Sequence, residues 1–473
     1  MNNRPLKNFF TSGFQAISMQ LLGGAFFYLL SVFLSKQEFG VLNWSTAISV
    51  FITTLLGFGL EQVVVRRVAL NSTSDWAASA YFLHTAVGSV VSFIVLATFL
   101  WVYDSDRMTL RMLPWVFVTQ CFIFMATPFR QYLNAKEQFG TYGLVSFVSN
   151  IIKIGVVLYL APQYRLNLEV VLRMLIITSF AELAVLFFYV RAKFDLNFTF
   201  KFSAYKKLIK ESSAQYMAVL FDSSLSRMDW ILLGLISAQM ALADYSFAYR
   251  AYEMMRLPIM IVGPVILPRF ARMLSSGAHV SFDKRHEIQQ LLKMETVFAG
   301  LLILVLNLLW VPVVDSFTDG KYGASNQVIF MLLSVCLPLH FATNLFWTLI
   351  FSAKKYRYIT IATVITASSN IILNLALIPF LGGIGAAIAY AASTLIQTLI
   401  YCYVARRKVM RCNLYPLLIV TGITCLSYFA AVMLTGNLLL RIAIAVVVFV
   451  PLIAILKQLG KEHVSILKSY MQR

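Results

Sequence analysis

The chain has 473 residues, of which 60% are apolar and only 12% are charged. Soluble domains carry roughly 45–50% apolar and about 25% charged residues, so this composition excludes a soluble enzyme, a nucleic-acid-binding protein and a disordered scaffold. Lys and Arg number 39 against 20 Asp and Glu, a net charge of +19. In a membrane protein such an excess collects in cytoplasmic loops, so it requires no nucleic-acid partner.

Apolar runs long enough to cross a membrane recur along the whole chain, since a membrane helix needs about 20 mostly apolar residues. Fourteen such runs are predicted, at residues 8–34, 39–65, 76–103, 112–134, 141–161, 169–190, 208–236, 242–270, 293–316, 326–353, 355–379, 383–405, 413–435 and 437–457. The first is too long for a cleavable signal and is interpreted as a retained helix. The predicted fold is all-α, a polytopic membrane protein with about 14 transmembrane helices.

The distribution of positive charge predicts the orientation of these helices. With a cytoplasmic N-terminus, 28 of the 39 Lys and Arg fall in cytoplasmic segments and 6 in segments on the other side. Positive residues favour the cytoplasmic side and contact anionic membrane lipids there, so both termini are predicted to be cytoplasmic. The sequence has no G-x-x-x-x-G-K-[ST] motif, and its five cysteines have no metal-ligand spacing. A transporter without a cofactor or metal is expected, rather than an enzyme.

A weak internal repeat divides the chain near its middle. Ser35-Lys36-Gln37-Glu38, followed by Trp44-Ser45 and Ala47, is echoed by Ser237-Ala238-Gln239-Met240, followed by Tyr245-Ser246 and Ala248. A second match pairs Ser149-Asn150-Ile151-Ile152 with Ser369-Asn370-Ile371-Ile372. Six helices per copy give a parallel repeat. We therefore expect an N-terminal six-helix lobe over residues 1–195, a pseudo-symmetric six-helix lobe over 196–410, and two additional helices with a cytoplasmic tail over 411–473.

The eighth predicted span carries three ionisable residues on one helical face. They are Arg250, Glu253 and Arg256, at spacings of i, i+3 and i+6. An ionisable residue inside a membrane costs about 2.5–3.5 kcal/mol on insertion scales, so each one is a functional hypothesis. Glu253 can neutralise one arginine, and the other guanidinium suits phosphate oxygens. The alternative is an ion network that only joins spans 7 and 8.

The seventh span predicts a site for a coupling ion. Gln215, Asp222 and Asp229 follow one another at heptad steps and so share a face of the helix. Asp222 or Asp229, shielded from water, could carry H⁺ or Na⁺. The alternative is simple charge pairing with Arg227 or with the arginines of span 8.

One intramembrane lysine occurs in only one copy of the repeat. Lys153 lies beside the repeated Ser-Asn-Ile-Ile segment, where the second copy has Leu373. A charge that only one copy carries suggests use in binding. The alternatives are snorkelling to the membrane surface or pairing with Glu182 of the neighbouring span.

Several short motifs resemble those of a known family. They are Ser226-Arg227-Met228-Asp229-Trp230-Ile231-Leu232-Leu233-Gly234, Tyr245-Ser246-Phe247-Ala248-Tyr249-Arg250, Gly57-Phe58-Gly59-Leu60-Glu61, Asn370-Ile371-Ile372-Leu373-Asn374-Leu375 and Gly382-Gly383-Ile384-Gly385-Ala386-Ala387. They are similar to segments of the polysaccharide exporters, the O-antigen and repeat-unit flippases of the multidrug/oligosaccharidyl-lipid/polysaccharide (MOP) exporter superfamily. The resemblance covers most of spans 1–12.

This resemblance implies a function at the bacterial cytoplasmic (inner) membrane. It implies alternating access and export of an undecaprenyl-pyrophosphate-linked oligosaccharide, the repeat unit of an O-antigen, capsule or exopolysaccharide. The energy would come from an H⁺ or Na⁺ gradient or from polymerisation, and the polysaccharide polymerase machinery is an expected partner. The cation-lined cavity of the family maps onto Arg227, Arg250, Arg256 and Lys153.

Two other functions are alternatives for such a sequence. A drug or organic-cation antiporter of the same superfamily would favour a carboxylate-dominated cavity and usually twelve spans. A membrane polysaccharide polymerase or ligase generally carries a sizeable extracytoplasmic loop, whereas the predicted outer loops here are short. Span 1, Asn8–Leu34, has no charge, while flippases of peptidoglycan precursors usually place arginines there. Lipid II is therefore a poorer substrate.

Overall fold

Helices form nearly all of the computed structural model, which describes residues 4–70, 75–102, 108–163, 165–194, 200–259, 270, 282–410 and 413–459. Within these ranges there is no β-strand. The α-helices, in chain order, are α1 (Arg4–Phe33), α2 (Lys36–Gly57), α3 (Leu60–Leu70), α4 (Asp75–Val102), α5 (Met108–Ala135), α6 (Phe139–Leu160), α7 (Leu168–Phe194), α8 (Phe202–Ile236), α9 (Gln239–Met255), α10 (Phe282–Thr318), α11 (Gly323–Ser334), α12 (Cys336–Ser352), α13 (Tyr356–Lys408), α14 (Tyr415–Leu434) and α15 (Leu438–Ile455).

The all-α, polytopic membrane fold predicted from the sequence is confirmed. Each of the fourteen predicted runs overlaps one or more of these helices, and ten helical segments of the described residues are long and apolar enough to cross a membrane. The figure of fourteen spans stays a prediction. The run at 39–65 is divided into α2 and α3 at Phe58 and Gly59, whose φ angles of 49° and 66° are left-handed.

Local sequence explains where two of the helices begin or bend. The hydroxyl of Ser35 accepts a hydrogen bond from the backbone N–H of Glu38, and the Glu38 carboxylate accepts one from the backbone N–H of Ser35. This capping box satisfies two backbone donors at the start of α2. Helix α13 is interrupted at Gly382, where φ is 53° and ψ is −128°, a conformation that favours glycine. Beside this break the side chain of Phe380 is 85% exposed.

The chain divides into two compact units, Met1–Ser246 and Phe247–Arg473. In the first unit α5 packs against α2, α4 and α7, while α8 packs along α2 and α3. In the second, α12 packs against α13, and α10 packs against α14 and α15. The first unit therefore ends later than the lobe boundary predicted between 195 and 196. The division into 1–195, 196–410 and 411–473 describes the sequence repeat and stays a prediction.

Candidate functional site

The two repeated segments identified in the sequence lie against each other in the first unit. The Nζ of Lys36, at the start of α2, is 2.7 Å from Oδ1 of Asp244 on α9. The Nδ2 of Asn43 donates a hydrogen bond of 2.9 Å to the Oγ of Ser246. Asn43 and Ser246 are both buried. Polar contacts of this kind join helices in membranes, where an unsatisfied polar group is costly.

Two aromatic residues at equivalent positions of the repeat both bind α8. The indole N–H of Trp44 donates to the backbone oxygen of Ile231 at 3.2 Å. Its counterpart, Tyr245, donates its hydroxyl hydrogen to Oδ2 of Asp229 at 2.5 Å. The two acceptors are two residues apart on α8. The repeat therefore places two aromatic donors on one short stretch of that helix.

Close backbone approach at two glycines allows this contact. A Cβ atom on Gly234 would overlap the ring of Trp44, and a Cβ atom on Gly40 would overlap the backbone carbonyl of Gln239. Small residues at such positions let membrane helices pack at short distance. The approach of α2 to α8 and α9 thus depends on the absence of a side chain at Gly40 and Gly234.

The carboxylates predicted on one face of span 7 have different surroundings. Asp229 is fully buried and accepts hydrogen bonds from Tyr245 and from the backbone N–H of Trp230, the latter at 2.9 Å. Asp222 is exposed. Heptad spacing puts them on one face, yet about 10 Å of helix separates them. The guanidinium of Arg227 lies 5.6 Å from the centroid of the Trp230 ring.

The predicted alternative partner of Lys153, Glu182, is bound by another cation. The Nη2 of Arg130 on α5 is 2.8 Å from Oε1 of Glu182, which also accepts a hydrogen bond from the Oγ of Ser146. Glu182 is buried, whereas Lys153 is half-buried and makes no ion pair among the described residues. Arg130 lies within α5, near the end of the run predicted at 112–134.

The three charges predicted on span 8 separate into a pair and a single cation. The Nη1 of Arg250 is 2.7 Å from Oε2 of Glu253. Arg256 follows the end of α9, half-buried, and makes no ion pair with any carboxylate of the described residues. Its guanidinium lies 6.0 Å from the centroid of the Tyr252 ring. The structure thus brings Arg250 to Glu253 and leaves Arg256 in an aromatic environment.

Tyrosine and histidine side chains of the second unit form a cluster beside Arg256. Its ring centroids lie 5.5 to 6.2 Å apart, and its members are Tyr249, Tyr252, His340 and Tyr390. The Nε2 of His340 is 3.0 Å from the hydroxyl of Tyr390. The hydroxyl of Tyr252 is buried and has no hydrogen-bond partner in the described residues. A guanidinium beside an unused hydroxyl donor is an arrangement that can bind phosphate oxygens; we call these five residues the Arg256 cluster.

One carboxylate that the sequence analysis did not single out is buried in α10. Glu295 is 7% exposed, and neither oxygen of its carboxyl group has a hydrogen-bond partner in the described residues. It lies on the same face of the helix as the buried Ile288 and Leu292. The one feature of the sequence that could have indicated its burial is its position, the third residue of the apolar run at 293–316.

The helices that pack against α10 provide no cation that pairs with Glu295 among the described residues. These are α11, α12, α14 and α15, and within them the only His, Lys or Arg residues are His340 and Arg441. His340 contacts Tyr390, and Arg441 donates to the backbone oxygen of Thr435 at 2.8 Å. An ionised carboxylate without donors is strongly disfavoured in such a place.

Comparison with known proteins agrees with this architecture. A family model described as polysaccharide biosynthesis protein matches residues 6–274, more than half of the chain. No curated protein matches the sequence. A solved structure titled "Lipid II flippase MurJ, inward closed conformation" has a TM-score of 0.75 and 17% identity, covering 94% of this chain and 98% of that one.

Two transporters also share the fold. An inward-facing multidrug resistance MATE family transporter of the MOP superfamily has a TM-score of 0.63 and 13% identity, covering 82% of this chain and 94% of that one. A MOP superfamily transporter from Pyrococcus furiosus has a TM-score of 0.58 and 10% identity, covering 84% and 93%. The family match and the shared fold agree with the resemblance seen in the sequence: the chain shares its fold with transporters of the MOP superfamily, and it is a multi-pass membrane protein that belongs to the polysaccharide biosynthesis protein family.

Proposed function

We propose that the chain is a flippase that moves an undecaprenyl-pyrophosphate-linked oligosaccharide across the bacterial cytoplasmic membrane by alternating access. The oligosaccharide would be the repeat unit of an O-antigen, capsule or exopolysaccharide. Membership of the family supports this function, as does the fold shared with a structure titled as a lipid II flippase. The positive loop charges support cytoplasmic termini, and the polysaccharide polymerase machinery is the proposed downstream partner.

The observation that carries the proposal is the Arg256 cluster. A membrane protein keeps an intramembrane cation at considerable cost, and this one is not neutralised by an ion pair in the described residues. A pyrophosphate would supply the missing negative charge, and the buried hydroxyl of Tyr252 would donate to a phosphate oxygen. The charge of Arg250 is already balanced by Glu253, so Arg250 would stabilise helix α9 and not bind the substrate.

The contact of α2 with α8 and α9 supports alternating access. It lies beside the predicted outer turns of spans 1–2 and 7–8, where the loop charges place the extracytoplasmic side. An ion pair, a buried hydrogen bond and two glycine contacts hold it together. Because so few interactions join these helices, we propose that the contact closes the outer end in one state and breaks in another, which opens that end.

For the coupling ion, the geometry favours Glu295 as a proton carrier. Asp229, Glu253 and Glu182 all accept hydrogen bonds from neighbouring side chains, whereas Glu295 accepts none in the described residues. A buried carboxyl without donors is neutral, so it would hold a proton in this conformation and release it when water reaches it. Asp222, which is exposed, remains the second candidate and would suit Na⁺ as well.

The alternative function is a drug or organic-cation antiporter of the same superfamily. The fold shared with multidrug MATE transporters fits this function too. An antiporter for cations would require a carboxylate, and not an arginine, at the substrate site. A polymerase or ligase is disfavoured because the solved structures that share the fold are titled as a flippase and as transporters.

The test is complementation of a bacterium that lacks its own repeat-unit flippase. We expect the unaltered chain to restore surface glycan and to clear the accumulated prenyl-linked intermediate. Arg256→Gln should lower export about tenfold or more, because charge-assisted hydrogen bonds to phosphate contribute about 1.5–3 kcal/mol, and Arg256→Lys should retain part of it. Arg173→Gln is the control, since Arg173 is 73% exposed. Absence of export together with a gain in drug resistance would instead indicate the antiporter.

A further inference from the structure

A polar cavity lies inside the first unit, between α2, α3, α5 and α8. Its volume is about 200 Å³, which is smaller than the roughly 300–1,000 Å³ of pockets that enclose a whole drug-sized ligand. Amide, hydroxyl and carboxyl side chains line most of it: Thr53, Glu61, Gln62, Gln120, Thr127 and Gln215. No Lys, Arg or His is among the lining residues.

Part of this polar lining is occupied by internal hydrogen bonds, and part is not. The Nε2 of Gln120 donates to the Oγ1 of Thr53 at 3.2 Å, and Glu61 accepts from the Nε2 of Gln131 at 3.1 Å. Gln62 and Gln215 make no side-chain hydrogen bond within the described residues. Two amide groups, each with two donor hydrogens and one acceptor oxygen, are therefore available to a ligand.

The chemistry of the lining selects the class of ligand. A phosphate is disfavoured because the cavity contributes a carboxylate and no cation. A cation is disfavoured because Glu61 already accepts a hydrogen bond from Gln131 and interacts with the positive charge of Arg130. What the cavity offers is a set of neutral donors and acceptors next to the apolar ring of Phe124, which matches the hydroxyl groups and apolar face of a sugar ring.

We propose that this cavity binds one sugar residue of the transported oligosaccharide, an inference that rests on the proposed flippase function. Gln62 and Gln215 donate to and accept from the sugar hydroxyls, and Phe124 packs on the ring. A site built to hydrogen-bond hydroxyl groups disfavours analogues that lack them, because its amide groups would then exchange hydrogen bonds with water for none with the ligand. The cavity therefore determines which sugar is accepted, whereas the Arg256 cluster, common to every pyrophosphate-linked substrate, does not.

The test removes the two unoccupied amides without removing an internal hydrogen bond. In the complementation strain, the double variant Gln62→Met with Gln215→Met should export about 3- to 10-fold less glycan than the unaltered chain and accumulate more intermediate, because a neutral hydrogen bond contributes about that much. Gln163→Met is the control, since Gln163 is exposed and lies outside the cavity. Export by the double variant at the unaltered rate would overturn the sugar site.

A second measurement separates the failure of this proposal from that of the function. Benzoylphenylalanine placed at Gln62, which is exposed at the cavity, should photocrosslink to the host's prenyl-linked oligosaccharide radiolabelled in its sugars. The same group at Val95, which is 63% exposed on α4, should not. If the unaltered chain exports glycan but position 62 captures no label, the cavity proposal is wrong and the flippase stands. If it neither exports glycan nor captures label, both are wrong.

Discussion

The Nζ of Lys36 lies 2.7 Å from Oδ1 of Asp244, although 208 residues separate them in the sequence. Both side chains belong to the repeated segments, and both are largely removed from solvent, at 21% and 17% exposure. We expect Lys36→Met and Asp244→Asn each to lower the stability of the detergent-solubilised protein by about 1 kcal/mol, measured by thermal unfolding. The charge-reversed pair, Lys36→Asp with Asp244→Lys, should recover part of the loss.

The control for this pair is Glu169 with Arg173, an ion pair of 3.6 Å whose side chains are 56% and 73% exposed. Neutralising either residue should leave the unfolding temperature unchanged, since exposed ion pairs contribute little. Equal effects at both pairs would contradict a specific role for Lys36 and Asp244.

The glycine contacts predict a position-specific effect of a single methyl group. Gly234→Ala and Gly40→Ala place a Cβ against Trp44 and against the backbone of Gln239. Overpacking of this kind costs typically 1–3 kcal/mol, so both variants should unfold at lower temperature and export less glycan. Gly155→Ala is the matched control, because its Cβ would have no atom within 4 Å and alanine is the better helix former. A Gly234→Ala variant as stable as Gly155→Ala would show that α2 and α8 separate freely.

Variants of the hydrogen-bonded pair Tyr245 and Asp229 test whether Asp229 stabilises the structure or carries the coupling ion. Tyr245→Phe removes the donor and leaves one oxygen of buried Asp229 without it, so we expect a loss of about 1–3 kcal/mol of stability. Asp229→Asn retains an acceptor for Tyr245, and we expect it to leave the pH and Na⁺ dependence of export unchanged. A changed ion dependence in Asp229→Asn, measured in inverted vesicles, would restore Asp229 as the carrier.

Glu295 should respond in the opposite way. Glu295→Gln keeps the shape and the hydrogen-bonding capacity of a protonated carboxyl group, so the variant should fold and reach the membrane in normal amount. Export by this variant should no longer depend on the proton gradient, whereas Glu137→Gln, at an exposed turn, should behave as the unaltered chain. Export that still follows the gradient after Glu295→Gln would remove this residue as the coupling site.

The sequence predicts the helices well because hydropathy alone determines them in a membrane protein. It also predicts that the segments starting at Ser35 and Ser237 are related, and the structure brings them together. It could not predict that Asp222 and Asp229 differ in burial. Helical periodicity shows that two residues share a face, but it does not show how much of that face a neighbouring helix covers. Here Trp44 and Tyr245 cover only the end of α8 that contains Asp229.

Partners of buried charges are equally hidden from the sequence. Glu182 forms an ion pair with Arg130. Hydropathy places Arg130 near the end of a span, but it does not show which carboxylate the arginine contacts, because a long side chain reaches several ångströms from its backbone. The burial of Glu295 is hidden for a different reason. A protonated carboxyl group requires no charged partner, so no second charge in the sequence marks its position. The cavity with Gln62 and Gln215 arises from four helices and has no linear signature.

The break in α13 at Gly382 has a consequence for how this part of the chain enters the bilayer. The residues around it, from Ile378 to Ile384, are all apolar or glycine, and the ring of Phe380 protrudes from them. An aqueous turn between two spans normally carries polar residues, so we expect this apolar turn to lie at the headgroup level, where aromatic rings anchor. Since Asn370 on one arm of α13 donates a hydrogen bond to Ser393 on the other, the two arms form a helical hairpin with an apolar turn. We expect this hairpin to be inserted as a unit during biogenesis and its turn to be inaccessible to proteases and membrane-impermeant labels that map loops from the aqueous side.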